Sequence, residues 1–558
     1  MQKWDESFDA VVVGAGAAGL TAALTAATEG LGTLLVEKAE VWGGSTALSG
    51  GGLWIPCNPL MQAAGGGDTL EAAQTYFDAV VKDIGPATSR ARRDAYLTAA
   101  PEMIEFVLDQ GVAIEQEPGQ PDYHAERPGG RRGRLMEPKF TDGHRLGPWL
   151  ATLRPAPRPL AVKTGEGSYV ARGFSSVEST LKIASIAVRH HGSRLLGQSP
   201  MTSGAALAAQ LMMAAQRAGV TVRLSTPLKR IIVEDGRAVG VEIEEGGTLR
   251  RVEARNGVFL CGGGFAHNAT MRQAVQPVDG RHSSASPEDT GDVIAAATSI
   301  GAATELMDEA WWGPCVVYPG GAAGFTLWER TMPGSLMVDD TGKRFTNEAA
   351  SYDAVGRAML NHGVTEAWLI FDSRHRRRYV FQAMAPGQTP KAMFDAGFFK
   401  RADTIEGLAP LLGLDAPTLK ATVGRHDAFA RKGVDEDFHR GEHPYDRYWG
   451  DPTNKPNPNL APLGSPPFLA TRIHLGDLGT KGGLLTDETG RVLRRDGSVI
   501  EGLYASGNST ASVMGRGYPG PGATLGPAMT FAYLAARDAA KGWPQNAEPG
   551  LATAVDPA

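Results

Sequence analysis

The sequence predicts an α/β protein in which a second, α+β domain interrupts a parallel-sheet domain. Three observations lead there. A strand, a glycine-rich turn, a helix and a second strand follow one another at the start of the chain. Short strands and glycine-rich turns return from about residue 477. Between them, residues 286–476 differ in texture, with Trp311, Trp312, many Pro-Gly breaks and scattered helices. At 558 residues the chain exceeds what one hydrophobic core usually organises. The expected division is 1–285 and 477–545 for the first domain in two parts, 286–476 for the inserted one, and 546–558 as a tail.

Each element has its own signal. Phe8–Val13 reads as a buried strand, followed by an Ala-rich helix to about Glu29 and a second strand, Thr33–Val36, that ends at Glu37. Such a βαβ unit implies a parallel sheet covered by helices. Apolar runs recur at 220–224 and 230–233. The stretch Ile231–Ile243 reads as two strands, because Asp235-Gly236 supplies tight-turn chemistry. A further strand is expected at 257–261 and a final helix at 524–541, and the tail beyond Trp543 lacks periodicity.

Residues 150–200 stand apart. Arg154 begins a stiff, Pro-rich polar loop. Ser176 to Leu196 forms an amphipathic helix, with Val177, Leu181, Ala184 and Val188 on one face and Lys182, Arg189 and Arg194 adding positive charge. That pattern suits a helix packed on its own domain or a basic helix lying on a membrane surface.

Composition narrows the function classes. Basic residues number 55 and acidic residues 61, for a net charge of −6; nothing there calls for a nucleic-acid partner. The three cysteines, Cys57, Cys261 and Cys315, form neither a disulfide framework nor a zinc motif. The histidines show no ligand spacing and no Gly-x-Ser-x-Gly elbow occurs, so no metal is expected and hydrolase chemistry has no support. The start of the chain lacks a secretory signal, and no apolar run of about 18 residues suggests a membrane span. The expected location is the cytoplasm, with peripheral membrane association left open.

Gly14-Ala-Gly16-Ala17-Ala18-Gly19 follows a strand and opens a helix. Gly14 allows the tight turn, Gly16 lets backbone approach a pyrophosphate, and Gly19 lets helix and strand pack closely. The helix N-terminus presents N–H groups to the phosphates. Glu37, followed by Lys38, ends the second strand where a carboxylate can accept ribose hydroxyls. Small residues continue at Gly43-Gly44-Ser45-Thr46 and at Ser49-Gly50-Gly51. Further close-approach points lie at Gly263-Gly264 and at Gly507-Asn508, with Gly522 and Leu525 beyond. Contacts spread this widely suit an extended FAD better than a nicotinamide cofactor.

These residues, with Pro121-Asp-Tyr123, Asn347-Glu348 and Tyr352, Asp477-Leu-Gly-Thr-Lys-Gly-Gly483 and Tyr518-Pro-Gly-Pro-Gly522, carry a resemblance. The chain is similar, over nearly its whole length, to the 3-ketosteroid Δ1-dehydrogenases of the fumarate reductase and succinate dehydrogenase flavoprotein superfamily. The resemblance implies a Rossmann-like FAD-binding domain with an inserted α+β catalytic domain. It implies that Tyr518 and the Gly522 N–H hold the C3 carbonyl of a 3-ketosteroid. It further implies that Tyr352, assisted by Tyr123, takes a proton from C2 while hydride leaves C1 for the flavin, and that an external acceptor such as a quinone reoxidises it. His124 departs from the family pattern, which has a second tyrosine there, and residues 150–200 depart as well.

The residue types suit that chemistry. Two preorganised donors at a ketone oxygen make an oxyanion hole, and Pro519 and Pro521 stiffen the loop that carries them. A tyrosine base needs help, since its reference pKa is about 10; a neighbouring hydroxyl such as that of Tyr123 is expected to supply it, against the effect of burial. Trp311 and Trp312 are expected mainly in core packing. The competing readings are a flavoprotein desaturating carbons 4 and 5, a fumarate-reductase-like enzyme, and a non-catalytic flavin-binding or membrane-docking protein.

Overall fold

The computed structural model describes residues 3–156 and 160–542. The expected tail at 546–558 and part of the Pro-rich loop after Arg154 lie outside the described residues.

The opening strand, Glu6–Val13, sits in the middle of an eight-stranded sheet. Along its main path the order is Arg491–Leu493, Val499–Ala505, Thr248–Leu260, Glu6–Val13, Thr33–Val36, Thr221–Arg223. All the pairings along this path but the first are parallel, as the opening βαβ unit predicts. Ala10, Val11, Val12, Leu34, Leu35 and Val36 have no exposed surface, so this centre is covered on both faces, the usual state of parallel strands. The helix Ala17–Thr28 covers one face together with the last helix, Leu525–Ala540. Alanines at 22, 23, 26, 532, 535 and 536 are all buried there.

The expected hairpin forms from Leu228–Glu234 and Arg237–Glu245, turned by Asp235 and Gly236 at φ 49° and 80°. The strand expected at 257–261 is longer. It runs Thr248–Leu260, pairing antiparallel with the hairpin through its first half and parallel with Glu6–Val13 from Val252 to Leu260. Its first four residues, Thr248 to Arg251, are mostly polar and none is buried, so a search for an apolar run does not register it.

A second, antiparallel sheet has the order Ala323–Phe325, Ala310–Val317, Phe468–Thr480, Glu366–Asp372, Ser335–Val338, with Lys400–Ala402 also on the long strand. Phe468–Thr480 continues past the expected boundary at 476, because Asp477 and Thr480 are held opposite Trp312 and Ala310. It delivers Lys481 to the region between the sheets. Trp311 and Trp312, adjacent on a strand, point to opposite faces. Trp312 joins the core of the second sheet with Val355, Met359 and Leu369. Trp311 instead joins the cluster that holds Tyr123, Tyr352 and Tyr518.

The amphipathic helix forms at Val177–Leu195, capped by Ser176. Its apolar stripe is not packed on the domain. Val177, Leu181 and Val188 are 76%, 66% and 72% exposed, while Ser179, Ile186 and His190 face inward. The expected free positive charge is also reduced, since Glu166 pairs with Arg189 at 2.6 Å and with Lys182 at 3.5 Å. A single carboxylate gripping two basic side chains fixes the roll of the helix and leaves the stripe outward. Arg154, expected in a polar loop, is buried and ion-paired to Glu288 at 2.5 Å.

Candidate active site

The glycine-rich turn separates packing glycines from an open one. Gly14 lies at φ +106°, and a Cβ there would sit 2.4 Å from the Cys261 carbonyl oxygen; a Cβ on Gly19 would strike the Gly14 carbonyl oxygen. Gly16 is different. Its φ of −84° suits any residue, and an added Cβ meets only Thr46 Oγ1, at 3.6 Å. The protein's own packing does not demand a glycine there.

Thr46 Oγ1 accepts the Ala17 N–H at 2.9 Å, tying the turn to the segment that starts with Gly43 and Gly44. Ala18 and Gly19 continue the first turn of the helix. The Glu37 carboxylate accepts the N–H groups of Ala15 and Ala39 at 2.9 and 3.0 Å, and burial raises its pKa. Lys38 turns toward Asp292 and Thr290. Ser45 donates to the Asp289 carboxylate at 2.9 Å. Asp289 is buried against Gly263, and burial pushes its pKa up to about 7. No motif marks this aspartate in the sequence. Ser49 Oγ accepts the Gly51 N–H at 3.0 Å, and Thr164 donates to the Gly50 carbonyl at 2.6 Å. Gly264 abuts Thr480. Gly507, Asn508, Trp311 and Thr524 line one cavity, which brings the C-terminal glycine-rich segment and the start of the last helix at Leu525 to the same space. The open turn, the helix N-terminus and the carboxylate at the strand end fit the phosphates and ribose of an FAD.

Next to this lies a cluster of phenols. Tyr123, Tyr352 and Tyr518 come from three distant parts of the chain, yet their ring centroids are 5.1–5.5 Å apart. Tyr352 Oη donates to Tyr518 Oη at 2.9 Å, and Tyr518 Oη is also 2.9 Å from Thr524 Oγ1. All three rings are buried. Phe325 sets its edge against Tyr352, Tyr445 against Tyr123 and Trp311 against Tyr518, at 5.0, 5.0 and 4.8 Å. Trp311 also donates to Asn508 at 3.1 Å. Sequence reasoning had not singled out Tyr445, Phe325 or Thr524; each reaches the site through tertiary packing alone.

The loop that carries Tyr518 is held on both sides. Lys481 Nζ donates to the Gly517 carbonyl at 2.7 Å, and the Pro519 carbonyl accepts from Tyr76 Oη at 2.5 Å and from the Tyr123 N–H at 3.0 Å. The backbone N–H of His124 donates to Tyr76 Oη at 3.2 Å, which gives this unusual residue a firm place. Behind Tyr123, Asp122 accepts from Trp54 and from Arg134, which also pairs with Asp68, in a fully buried network. Gly522 lies at φ +92°, and an added Cβ would stand 2.5 Å from the Gly52 backbone. Among the described residues, nothing accepts the Gly522 N–H. Burial raises Tyr123 and Tyr352 well above the ordinary tyrosine value and Tyr518 to about 12. Tyr123 stands where the helping hydroxyl was expected, but after burial its effect is to raise Tyr352 further.

A fold of this kind with this turn defines an FAD-dependent flavoprotein, and the comparisons agree. The FAD binding domain family matches residues 9–525. The chain is 46% identical over 554 residues to a 3-oxosteroid 1-dehydrogenase of Mycobacterium tuberculosis, covering 95% of this chain and 98% of that one. It is 36% identical to the 4-oxocyclohexanecarboxylate 2-dehydrogenase of Sinomonas cyclohexanicum, covering 95% and 92% of the two. Among solved structures, a 3-ketosteroid Δ1-dehydrogenase from Sterolibacterium denitrificans, in complex with 1,4-androstadiene-3,17-dione, superposes with a TM-score of 0.90 at 38% identity, covering 96% of this chain and all of that one. The chain belongs to the FAD-binding flavoprotein family and, within it, to the 3-oxosteroid 1-dehydrogenases.

If Gly16 is kept open for the cofactor, Gly16→Ala will fold normally but weaken FAD binding by at least about tenfold, which is about 1.4 kcal/mol. Fluorescence titration of the cofactor-free protein with FAD, beside its thermal melt, checks this; unchanged affinity would show that the open space serves something else.

Proposed function

We propose that this chain removes the C2 proton and the C1 hydride of a 3-ketosteroid, forming the C1=C2 double bond and giving a 1,4-diene from a 4-ene substrate. One observation carries the assignment of roles: three phenols remote in sequence meet at one buried point, and the loop that carries Tyr518 also holds the Gly522 N–H, which has no acceptor among the described residues. The identity to the Mycobacterium tuberculosis steroid enzyme, higher than that to the monocyclic-ketone enzyme, supports a steroid as the ketone.

The chemistry starts at the ketone oxygen. Tyr518 donates its O–H and Gly522 its N–H to that oxygen, so charge building there as C2 loses its proton falls on two fixed donors; losing one such donor typically costs about 3–4 kcal/mol in barrier. Tyr352, as phenolate, takes the C2 proton. Its neutral form dominates at pH 7, because burial raises its pKa. Its scarcity as phenolate is offset by the basicity it has once ionised. Tyr123, edge-on to it, fixes its ring. Bound FAD supplies the two-electron acceptor for the hydride from C1. Glu37 and the N-terminus of the helix Ala17–Thr28 would hold its ribose and phosphates, and Trp311, Phe325 and Tyr445 pack around the phenols.

In this reading residues 1–285 and 477 onward hold the cofactor, while 286–476 contribute Tyr352 and much of the apolar wall. The two-electron acceptor that completes the cycle is a quinone or a similar carrier. No helix among the described residues is long and apolar enough to cross a membrane. The outward stripe of Val177, Leu181 and Val188, continued by Phe174, Leu195 and Leu196, each at least 62% exposed, supports peripheral contact with a lipid surface. Because Glu166 already pairs with two of the basic side chains, apolar burial rather than charge drives that contact.

Three outcomes follow. Anaerobic addition of a 3-keto-4-ene steroid will bleach the flavin and yield the 1,4-diene, and Tyr518→Phe will keep FAD but slow bleaching at least about tenfold; a variant as fast as the parent removes Tyr518 from the mechanism. The bleaching rate will rise from pH 7 to pH 9, since the ionised fraction of a tyrosine grows about tenfold per unit below its pKa; a steady fall over that range rules out Tyr352 as base. The protein will sediment with neutral phosphatidylcholine vesicles, and the double substitution Leu181→Glu, Val188→Glu will abolish this with turnover of soluble steroid unchanged; equal sedimentation of the two proteins removes the stripe from membrane contact.

A further inference from the structure

Lys481 is a buried amine to which the mechanism above gives no part. It follows the long strand Phe468–Thr480, and its backbone is pinned: its N–H donates to the Glu309 carbonyl at 2.9 Å and its carbonyl accepts from the Ser512 N–H at 3.0 Å. The side chain has no exposed surface. Its Nζ donates to the Gly517 carbonyl at 2.7 Å, one residue before Tyr518. The same nitrogen stands 4.2 Å from the centre of the Trp311 ring and 5.7 Å from that of Tyr518.

The charged groups around it are already committed to each other. Arg357 bridges Glu309 at 2.9 Å and Asp353 at 3.1 Å, and Arg516 pairs with Glu309 and with Asp308. Among the described residues no carboxylate reaches Lys481 as an ion pair. A tether to one carbonyl needs only a neutral donor, so a lysine supplies more than a tether requires. Its surplus is a positive charge set against two aromatic faces, one of them the phenol at the ketone. A cation on the face of an aromatic ring is attracted to it, and it stabilises negative charge shifting onto the phenol oxygen.

We infer that Lys481 is a positioning residue for Tyr518: it fixes the loop through the Gly517 carbonyl, and its ammonium strengthens the Tyr518 O–H as a donor to the ketone while enolate charge develops. The inference rests on the reading of Tyr518 as the ketone donor. No covalent step is involved; the ammonium keeps its protons and acts through the ring.

The charge is also sensitive to pH. Burial lowers the Lys481 pKa to about 7; Arg357 and Arg516 act in the same direction and Asp353 and Glu309 against it. Below about pH 7 the ammonium dominates and the electrostatic contribution is present. Above it the amine is neutral, while the hydrogen bond to Gly517 remains. The contribution is thus lost as pH rises, opposite in sign to the gain from ionising Tyr352.

The test uses the FAD-loaded enzyme and anaerobic flavin reduction by a 3-keto-4-ene steroid. Lys481→Gln keeps a donor for the Gly517 carbonyl and removes the cation. We expect it to reduce about tenfold more slowly than the parent at pH 6, with the steroid concentration for half-maximal rate little changed, and to come within about twofold at pH 9. A ratio that stays constant across that range, or a variant equal to the parent at pH 6, overturns the inference. In a Tyr518→Phe background the substitution should cost nothing further; an undiminished cost would place the action of Lys481 elsewhere. If Tyr518→Phe alone matches the parent, it is the reading of Tyr518 that fails. Should Lys481→Gln not retain FAD, the parent decides. Infrared difference spectra of bound 1,4-dien-3-one labelled with ¹³C at C3 should show a lower carbonyl stretch below pH 7 than above it. A stretch that does not move between pH 6 and pH 9 overturns the proposal.

Discussion

The carbonyl of Pro519 accepts two hydrogen bonds, from the Tyr76 hydroxyl and from the backbone N–H of Tyr123, and the geometry of the site hangs on that shared acceptor. A carbonyl oxygen has two lone pairs, so both donors can be served at once. The pairing joins residues from the first hundred and thirty positions to a loop nearly four hundred positions later, and it sets Tyr123 5.1 Å from Tyr518, ring to ring. Proline at 519 and 521 restricts the backbone on either side. Behind two of the phenols stands a buried basic residue: Arg134 between Asp68 and Asp122 next to Tyr123, and Lys481 next to Tyr518. Tyr352 arrives from the other sheet. Its helix, Tyr352–Asn361, seats on the strand Ala310–Val317 where Gly356 meets the backbone of Trp312 and Gly313, and a Cβ there would stand 2.7 Å from the Gly313 nitrogen.

Burying three phenols together has a definite electrostatic consequence, since none of them ionises readily. A design that lowered the pKa of Tyr352 would have more phenolate but a weaker base. The arrangement works on the other partner instead. In the mechanism proposed above, donors gathered at the ketone oxygen make the neighbouring C–H more acidic, and holding them before substrate arrives leaves little reorganisation for the transition state. The same logic explains why the loop is anchored at both flanking carbonyls: a donor is worth most when its direction is fixed.

What could be read from the sequence was the local part. The turn at Gly14–Gly19 is legible because its strand, glycines, helix and Glu37 lie within one short stretch, and Tyr123, Tyr352, Tyr518 and Gly522 were found through a family resemblance. The structure brings the three tyrosines together, and their roles rest on the proposal above. Asp289, Thr524 and Tyr445 carry no signal of their own, and Lys481 stands in the Asp477–Gly483 motif without a role assigned to it, because nothing next to them in the chain signals the partners they meet. Trp311 and Trp312 show a subtler limit. Alternation along a strand says that two neighbours face opposite ways; it does not say which face is core and which is site.

The helix Val177–Leu195 carries that limit to its end. An apolar stripe at helical spacing looks the same whether it is buried or presented, since periodicity records only that one face differs from the other. Direction comes from elsewhere, here from Glu166. This acid lies in the segment that binds the helix to the body of the protein, where Arg172 donates to the carbonyls of Gly450 and Tyr448 and Thr164 donates to that of Gly50. By pairing with Arg189 and Lys182 it draws the basic side of the helix inward. Two of the three basic side chains expected at a membrane surface, Lys182 and Arg189, thus hold the helix to the protein, and the apolar stripe is left outside.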